Sequence, residues 1–99
     1  MKLEALIDEM IDDFYFNFGS QTWGKIDEFY RQVQLTFEDL GAITEDNEKY
    51  QYLNKELGQL IADFSTSLEN GDRTLCIDWL EYGFKSFFRV LDDTVTRRN

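Results

Sequence analysis

Ninety-nine residues suffice for one hydrophobic core but not for two, and an apolar share of 42% with nine Phe, five Tyr and two Trp excludes a disordered chain. Twenty acids against ten bases leave a formal charge of −10, which repels phosphate backbones and lipid headgroups and so disfavours direct nucleic-acid binding and membrane attachment. Histidine is absent, which removes the usual near-neutral general base and commonest transition-metal ligand and speaks against triad hydrolases, zinc sites and Glu-x-x-His di-iron bundles.

The apolar residues recur in steps of three and four, the spacing that keeps side chains on one face of a helix, and proline is absent. The first stripe uses Leu3, Leu6 or Ile7, Met10, Phe14 and Phe18. The second steps through Trp23, Ile26, Tyr30, Val33, Phe37 and Leu40. The third runs Tyr50, Leu53, Leu57, Leu60 and Phe64, widened by Ile61 and Leu68. The fourth runs Ile77, Leu80, Phe84, Phe87 and Leu91, widened by Trp79, Phe88 and Val95.

Breaks fall between the stripes. Gly19 offers a left-handed helix end, with Ser20 and Thr22 as hydroxyl caps for the next helix. Gly41 ends the second stripe, and Thr44 is read as a cap followed by the first-turn residues Glu45, Asp46 and Asn47. Asn70-Gly71-Asp72 is the strongest break, combining a C-terminal glycine with an aspartate cap. Arg97 and Arg98 suit a helix C-terminus.

The expected helices cover roughly 2–18, 21–40, 45–69 and 73–96. Short connections make successive helices antiparallel neighbours, so the expected fold is all-α, a four-helix up-down-up-down bundle forming one domain over 1–99. The alternative is a three-helix bundle whose first helix is swapped onto a second chain. Gly83 follows Cys76 and Leu80 on the inward side of the fourth helix, where it would admit a close helix crossing.

Few residues point to chemistry. Asp8-Glu9 and Asp12-Asp13, four apart, line one face of the first helix and would bind a cation or a basic partner, or simply be solvated. Asp46 to Tyr50 lacks the glycine and spaced acids of an EF-hand loop, so neither metal nor cofactor is expected. Cys76 has no histidine to activate it, no second cysteine to pair with, and the burial habit of free cysteines. No signal-peptide core follows Met1-Lys2-Leu3-Glu4 and no apolar run approaches membrane-spanning length, so a reduced cytoplasmic protein is expected.

The aromatic surplus is the more informative feature. Once the stripes are filled, Tyr15, Phe16, Phe29, Tyr52, Trp79, Tyr82 and Phe88 remain, as a widened core, scattered surface rings, or an apolar groove or dimer interface. Asp78 lies three and four residues before Glu81 and Tyr82. Its carboxylate is placed to accept the phenol hydrogen or to take an arginine from another chain, unless a local network with Lys85 absorbs it.

The segment from Leu68 to Tyr82 resembles a stretch in small all-helical proteins of Gram-positive bacteria, where an acidic turn leads into Leu-x-x-Asp-x-Leu-Glu-Tyr. The matching positions are Leu68, Glu69, Asn70, Asp72, Leu75, Asp78, Leu80, Glu81 and Tyr82; Gly83 and Ser86 replace the acid and the proline that follow in such relatives. That resemblance implies helices and no chemistry. In size, charge and architecture the chain is similar to flagellin export chaperones, small acidic bundles that hold a secreted partner.

The expected function is therefore a non-catalytic helical interaction module, a homodimer or a holder of a partner helix in an aromatic-rich groove. The partner-binding residues are Trp79, Tyr82, Phe88, Asp78, Glu81 and Phe29. The alternative is an acidic mimic of the DNA backbone that occupies a nucleic-acid-binding protein, its association steered by charge and weakened by salt. No residue is expected to be catalytic, because the chain would have to work with acids alone.

Overall fold

The computed structural model describes residues 2–43 and 48–98, with side chains placed for 3–43 and 48–93. Thr44 with Glu45, Asp46 and Asn47, and the side chains of Val95, Arg97 and Arg98, lie outside the described residues. Helix α1 spans Lys2–Phe16, α2 Ser20–Ile43 and α3 Glu48–Glu69. The fourth helix is continuous but changes its winding: α4 (Arg73–Asp78) passes into a π-helical segment (Trp79–Phe84) and returns to α-helix in α5 (Lys85–Arg98).

Each helix packs on the next and the fourth closes the ring against α1, giving a four-helix antiparallel bundle of 42 × 24 × 20 Å. α1 packs on α2 and on the fourth helix, as the four-helix reading expects. No described helix is long and apolar enough to cross a membrane.

The core draws on every helix. Ile7, Met10 and Phe14 come from α1, Ile26, Phe29, Val33 and Leu40 from α2, and Leu53, Leu57 and Phe64 from α3. The fourth helix adds Cys76, Leu80, Phe84 and Phe88. At its centre Phe29, Phe64 and Phe84 meet edge to face, with centroids 4.9 to 5.9 Å apart. Edge-to-face rings set a positive edge on a negative face, worth about 0.5–1.5 kcal/mol per pair beyond the area buried.

The joints follow from local chemistry. At the α3 end Gly71 takes φ 68°, Asp72 N donates to Ser67 O at 3.0 Å and Gly71 N to Leu68 O at 3.1 Å. That pair of bonds satisfies carbonyls left over by the last helical turn, as a glycine in the left-handed region allows. Asp72 Oδ1 then accepts from Leu75 N at 3.0 Å and caps α4. The Asn70-Gly71-Asp72 break is therefore built as read.

Two glycine readings are corrected. Gly19 is not left-handed, since among the described residues Gly71 alone has positive φ, and Gly41 lies inside α2, which runs on to Ile43. At the α1–α2 joint the work is done by Thr22. Its Oγ1 accepts from Gly19 N at 3.1 Å while Gly19 O accepts from Thr22 N at 3.0 Å, a reciprocal cap that needs no left-handed residue.

Candidate functional site

The acidic first-helix face divides in three dimensions. Asp13 is buried: its Oδ2 accepts from Thr22 Oγ1 at 3.1 Å and from Lys25 Nζ at 3.0 Å, so it ties the end of α1 to the first turns of α2. Asp8, exposed, meets Lys85 Nζ at 2.5 Å across the α1–fourth helix seam, while Glu9 and Asp12 face solvent. These contacts are structural. Among the described residues no group of three or more His, Cys, Asp or Glu is arranged to hold a metal ion.

Cys76 is 1% exposed, and burial, reinforced by the Asp72 charge, pushes its thiol up to about 11. A thiolate is the reactive form, so this cysteine is a core residue and not a nucleophile at neutral pH.

The six residues expected to meet a partner separate into two groups. Phe29 is fully buried in the ring triad and Phe88 is 3% exposed, stacked on Phe84 at 6.3 Å and edge-on to Phe87 at 5.3 Å. Neither ring offers surface, which corrects their assignment. Phe29 goes inward because the core face of α2 is centred on Thr22, Ile26, Phe29, Val33 and Leu40. The expected stripe is thus rotated by about one residue, leaving Tyr30 and Phe37 half-buried and Trp23 48% exposed.

Phe88 lies four residues beyond Phe84 and so shares its inward face, as its place in the fourth stripe expects. Lys85 N bonds to Leu80 O, an i→i−5 link that fits an extra residue into the turn. An extra residue shifts the register of everything beyond it by about 100° relative to a regular α-helix. The same winding undoes the expected Asp78–Tyr82 pairing, which presumes regular i,i+4 spacing. Lys85 keeps its local partner Glu81 at 3.6 Å and also bridges to Asp8, whose hydrogen bond raises the Lys85 pKa above its ordinary value.

Of the other four, Asp78, Trp79 and Tyr82 share one face, whereas Glu81 lies on the α1 side, where Lys85 pairs it beside Asp8. Tyr82 is 73% exposed, Asp78 is exposed, and Glu81 and Trp79 are half-buried. A groove of about 370 Å³ runs between α3 and the fourth helix, lined on one side by Tyr52, Glu56 and Leu60 and on the other by Trp79, Tyr82 and Val90. A second hollow of about 330 Å³, lined by Leu75, Asp78, Trp79, Tyr82 and Gly83, adjoins it. Trp79, Tyr82 and Gly83 line both, so the two form one surface centred on the π segment.

Gly83 shapes this surface. A Cβ there would stand 2.9 Å from Leu60 Cδ2 and 3.3 Å from Trp79 Cε3, so its missing side chain lets Leu60 lie against the fourth helix, the close crossing expected of it. Trp79 Nε1 is buried beside it without a protein acceptor. Tyr52 and Val90, 65% and 53% exposed, complete the apolar rim. The Glu56 carboxylate, hydrogen-bonded to the Tyr52 phenol, holds that group above its ordinary pKa.

Tyr52 belongs to the aromatic surplus, but Leu60, Gly83 and Val90 were not read as site residues. The four-residue steps from Tyr52 to Glu56 to Leu60 were visible in the sequence; which helix they would face was not. Tyr15, Phe16 and Trp23, around the α1–α2 joint, are exposed as well and line neither hollow. No family model, curated protein or solved structure matches the chain.

Proposed function

We propose that the chain is a non-catalytic interaction module that docks a helix, from a partner or from a second copy of itself, into the groove between α3 and the fourth helix. The observation that carries this reading is the continuous apolar surface formed by Tyr52, Tyr82 and Val90, all more than half exposed, around Trp79 and Gly83. Large exposed apolar residues gathered in a groove with an acidic rim favour association, and a helix laid between two helices is a common way to cover them. A π-helical turn adds weight, because such turns are frequent where helices carry function.

The acidic-mimic reading draws less support. Asp8, Asp13, Glu28 and Glu4 face the chain's own Lys85, Lys25, Arg31 and Arg89, which breaks up any continuous phosphate-like array.

Solution mass by light scattering over a concentration series, followed by affinity capture with wild type and Tyr82→Ala in parallel, tests the reading. Association that Tyr82→Ala weakens supports it. A monomer at every concentration that retains no protein refutes it.

A further inference from the structure

We infer that the occupant of this groove is a basic amphipathic helix contributed by a different protein. The inference rests on the docking reading above and adds the partner's chemistry. Its first ground is charge. Among the described residues that line the two hollows there is no lysine or arginine, whereas Glu56 and Asp78 line them, and the chain as a whole carries −10. Glu81, on the same π segment, lines neither hollow: Lys85 pairs it on the α1 side beside Asp8.

The same charges disfavour a second copy as the occupant. Pairing two grooves would set Glu56 and Asp78 against their own equivalents, with no cation in either lining to separate them. Lys25, Arg31, Lys85 and Arg89 are already engaged by carboxylates of their own chain, and the exposed Lys55 and Arg73 line neither hollow. A lipid surface is disfavoured for the same reason, since anionic headgroups would meet an acidic rim.

Geometry sets the form of the occupant. Leu75, Trp79, Tyr82, Ser86 and Val90 follow one another at steps of three or four along the fourth helix, and Tyr52, Glu56 and Leu60 run along α3 beside them. From Leu75 to Val90 the axis covers about 22 Å, the length of a helix of about 15 residues. Apolar side chains of such a helix would fill the trough over Trp79 and Gly83, and its lysines or arginines would reach Glu56 and Asp78 at the edges.

The test uses three synthetic peptides of about 18 residues with the same leucine face and, on the opposite face, lysine, glutamine or glutamate. Binding is measured by calorimetry at low and physiological salt. Controls are Glu56→Lys with Asp78→Lys in the rim, Glu38→Lys with Asp39→Lys on the exposed side of α2, and Tyr82→Ala. Circular dichroism verifies that each variant folds.

The lysine peptide is expected to bind best, to lose about ten-fold or more in affinity to the rim reversal and to Tyr82→Ala, and to keep most of its affinity for the α2 reversal. Equal binding of the glutamine peptide, or equal loss in both charge reversals, overturns the basic partner. If that binding still depends on Tyr82, the docking reading survives. Binding of every peptide that ignores Tyr82 overturns both. A concentration-dependent dimer that Tyr82→Ala dissociates replaces the foreign helix with a second copy and overturns this inference alone.

Discussion

Gly83 and Leu60 face each other so closely that a Cβ on the glycine would lie 2.9 Å from Leu60 Cδ2. Alanine at 83 gains about 1 kcal/mol of helix propensity, but crowding in a packed contact costs typically about 1–3 kcal/mol. Since Leu60 is only half-buried, its end can yield in part. The expected result for Gly83→Ala is therefore a net loss of about 0–2 kcal/mol. In a Leu60→Ala background the same change should be neutral or stabilising. Urea unfolding of the four-member cycle measures the coupling; a stabilised single mutant would show that no close crossing exists there.

Asp13 joins α1 to α2 through Thr22 and Lys25. Asp13→Ala leaves the buried Thr22 hydroxyl without its acceptor and removes the Lys25 partner, a loss of about 1–3 kcal/mol. Lys25→Met, which removes only the partly exposed end of the pair, should cost less than Asp13→Ala. Equal stability of Asp13→Ala and wild type in chemical denaturation would contradict the network.

The sequence marks both Phe29 and Tyr82 for binding, yet one is 0% and the other 73% exposed. Phe29→Ala should lower unfolding free energy by about 3–5 kcal/mol, the range for emptying a phenylalanine site in a packed core. Tyr82→Ala should change it by less than about 1 kcal/mol, as surface substitutions do, while weakening association. Calorimetric melting of both variants separates the two roles.

Cys76 gives a pH signature. Its thiol ionises near 9 when solvated and at about 11 in the fold, because burial and Asp72 oppose the thiolate. The unfolded chain thus releases this proton first, so the thiol's contribution is complete below about pH 9 and disappears as pH rises to about 11. Cys76→Ala should remove this component, giving a shallower loss of stability over that window than wild type. In native protein at pH 8 the thiol should react with a disulfide reagent far more slowly than in denaturant. Rapid native labelling would mean that Cys76 is not buried.

Much of the architecture was legible in the residues. In the third stripe Tyr50, Leu53, Leu57 and Phe64 reach the core, while Leu60 stays half-buried at the edge that meets the fourth helix. In α2 the pattern was ambiguous: Phe29 and Tyr30 are adjacent rings, and steps of three and four can be drawn through either. The phenylalanine faces the core while Tyr30 keeps its hydroxyl at the margin, 2.9 Å from Ser65 Oγ. The π segment left no trace in the stripe of the fourth helix, and with it went the expected bond from Asp78 to Tyr82, while Phe88, both a widening of that stripe and a binding candidate, took the inward place.

The sequence by itself determined four helices, the glycine break at Gly71 and the inward turn of Cys76, since periodicity, backbone freedom and hydrophobicity are properties of local residues. Tertiary packing alone decided which of two neighbouring aromatics faces inward and where the fourth helix widens its turn. It also decided that Tyr52, Trp79, Tyr82 and Val90 share one groove, two of whose edges come from residues about 30 positions apart. A stripe fixes only that a face is apolar; the neighbour against which it packs fixes its rotation, because close-packed side chains accept few registers.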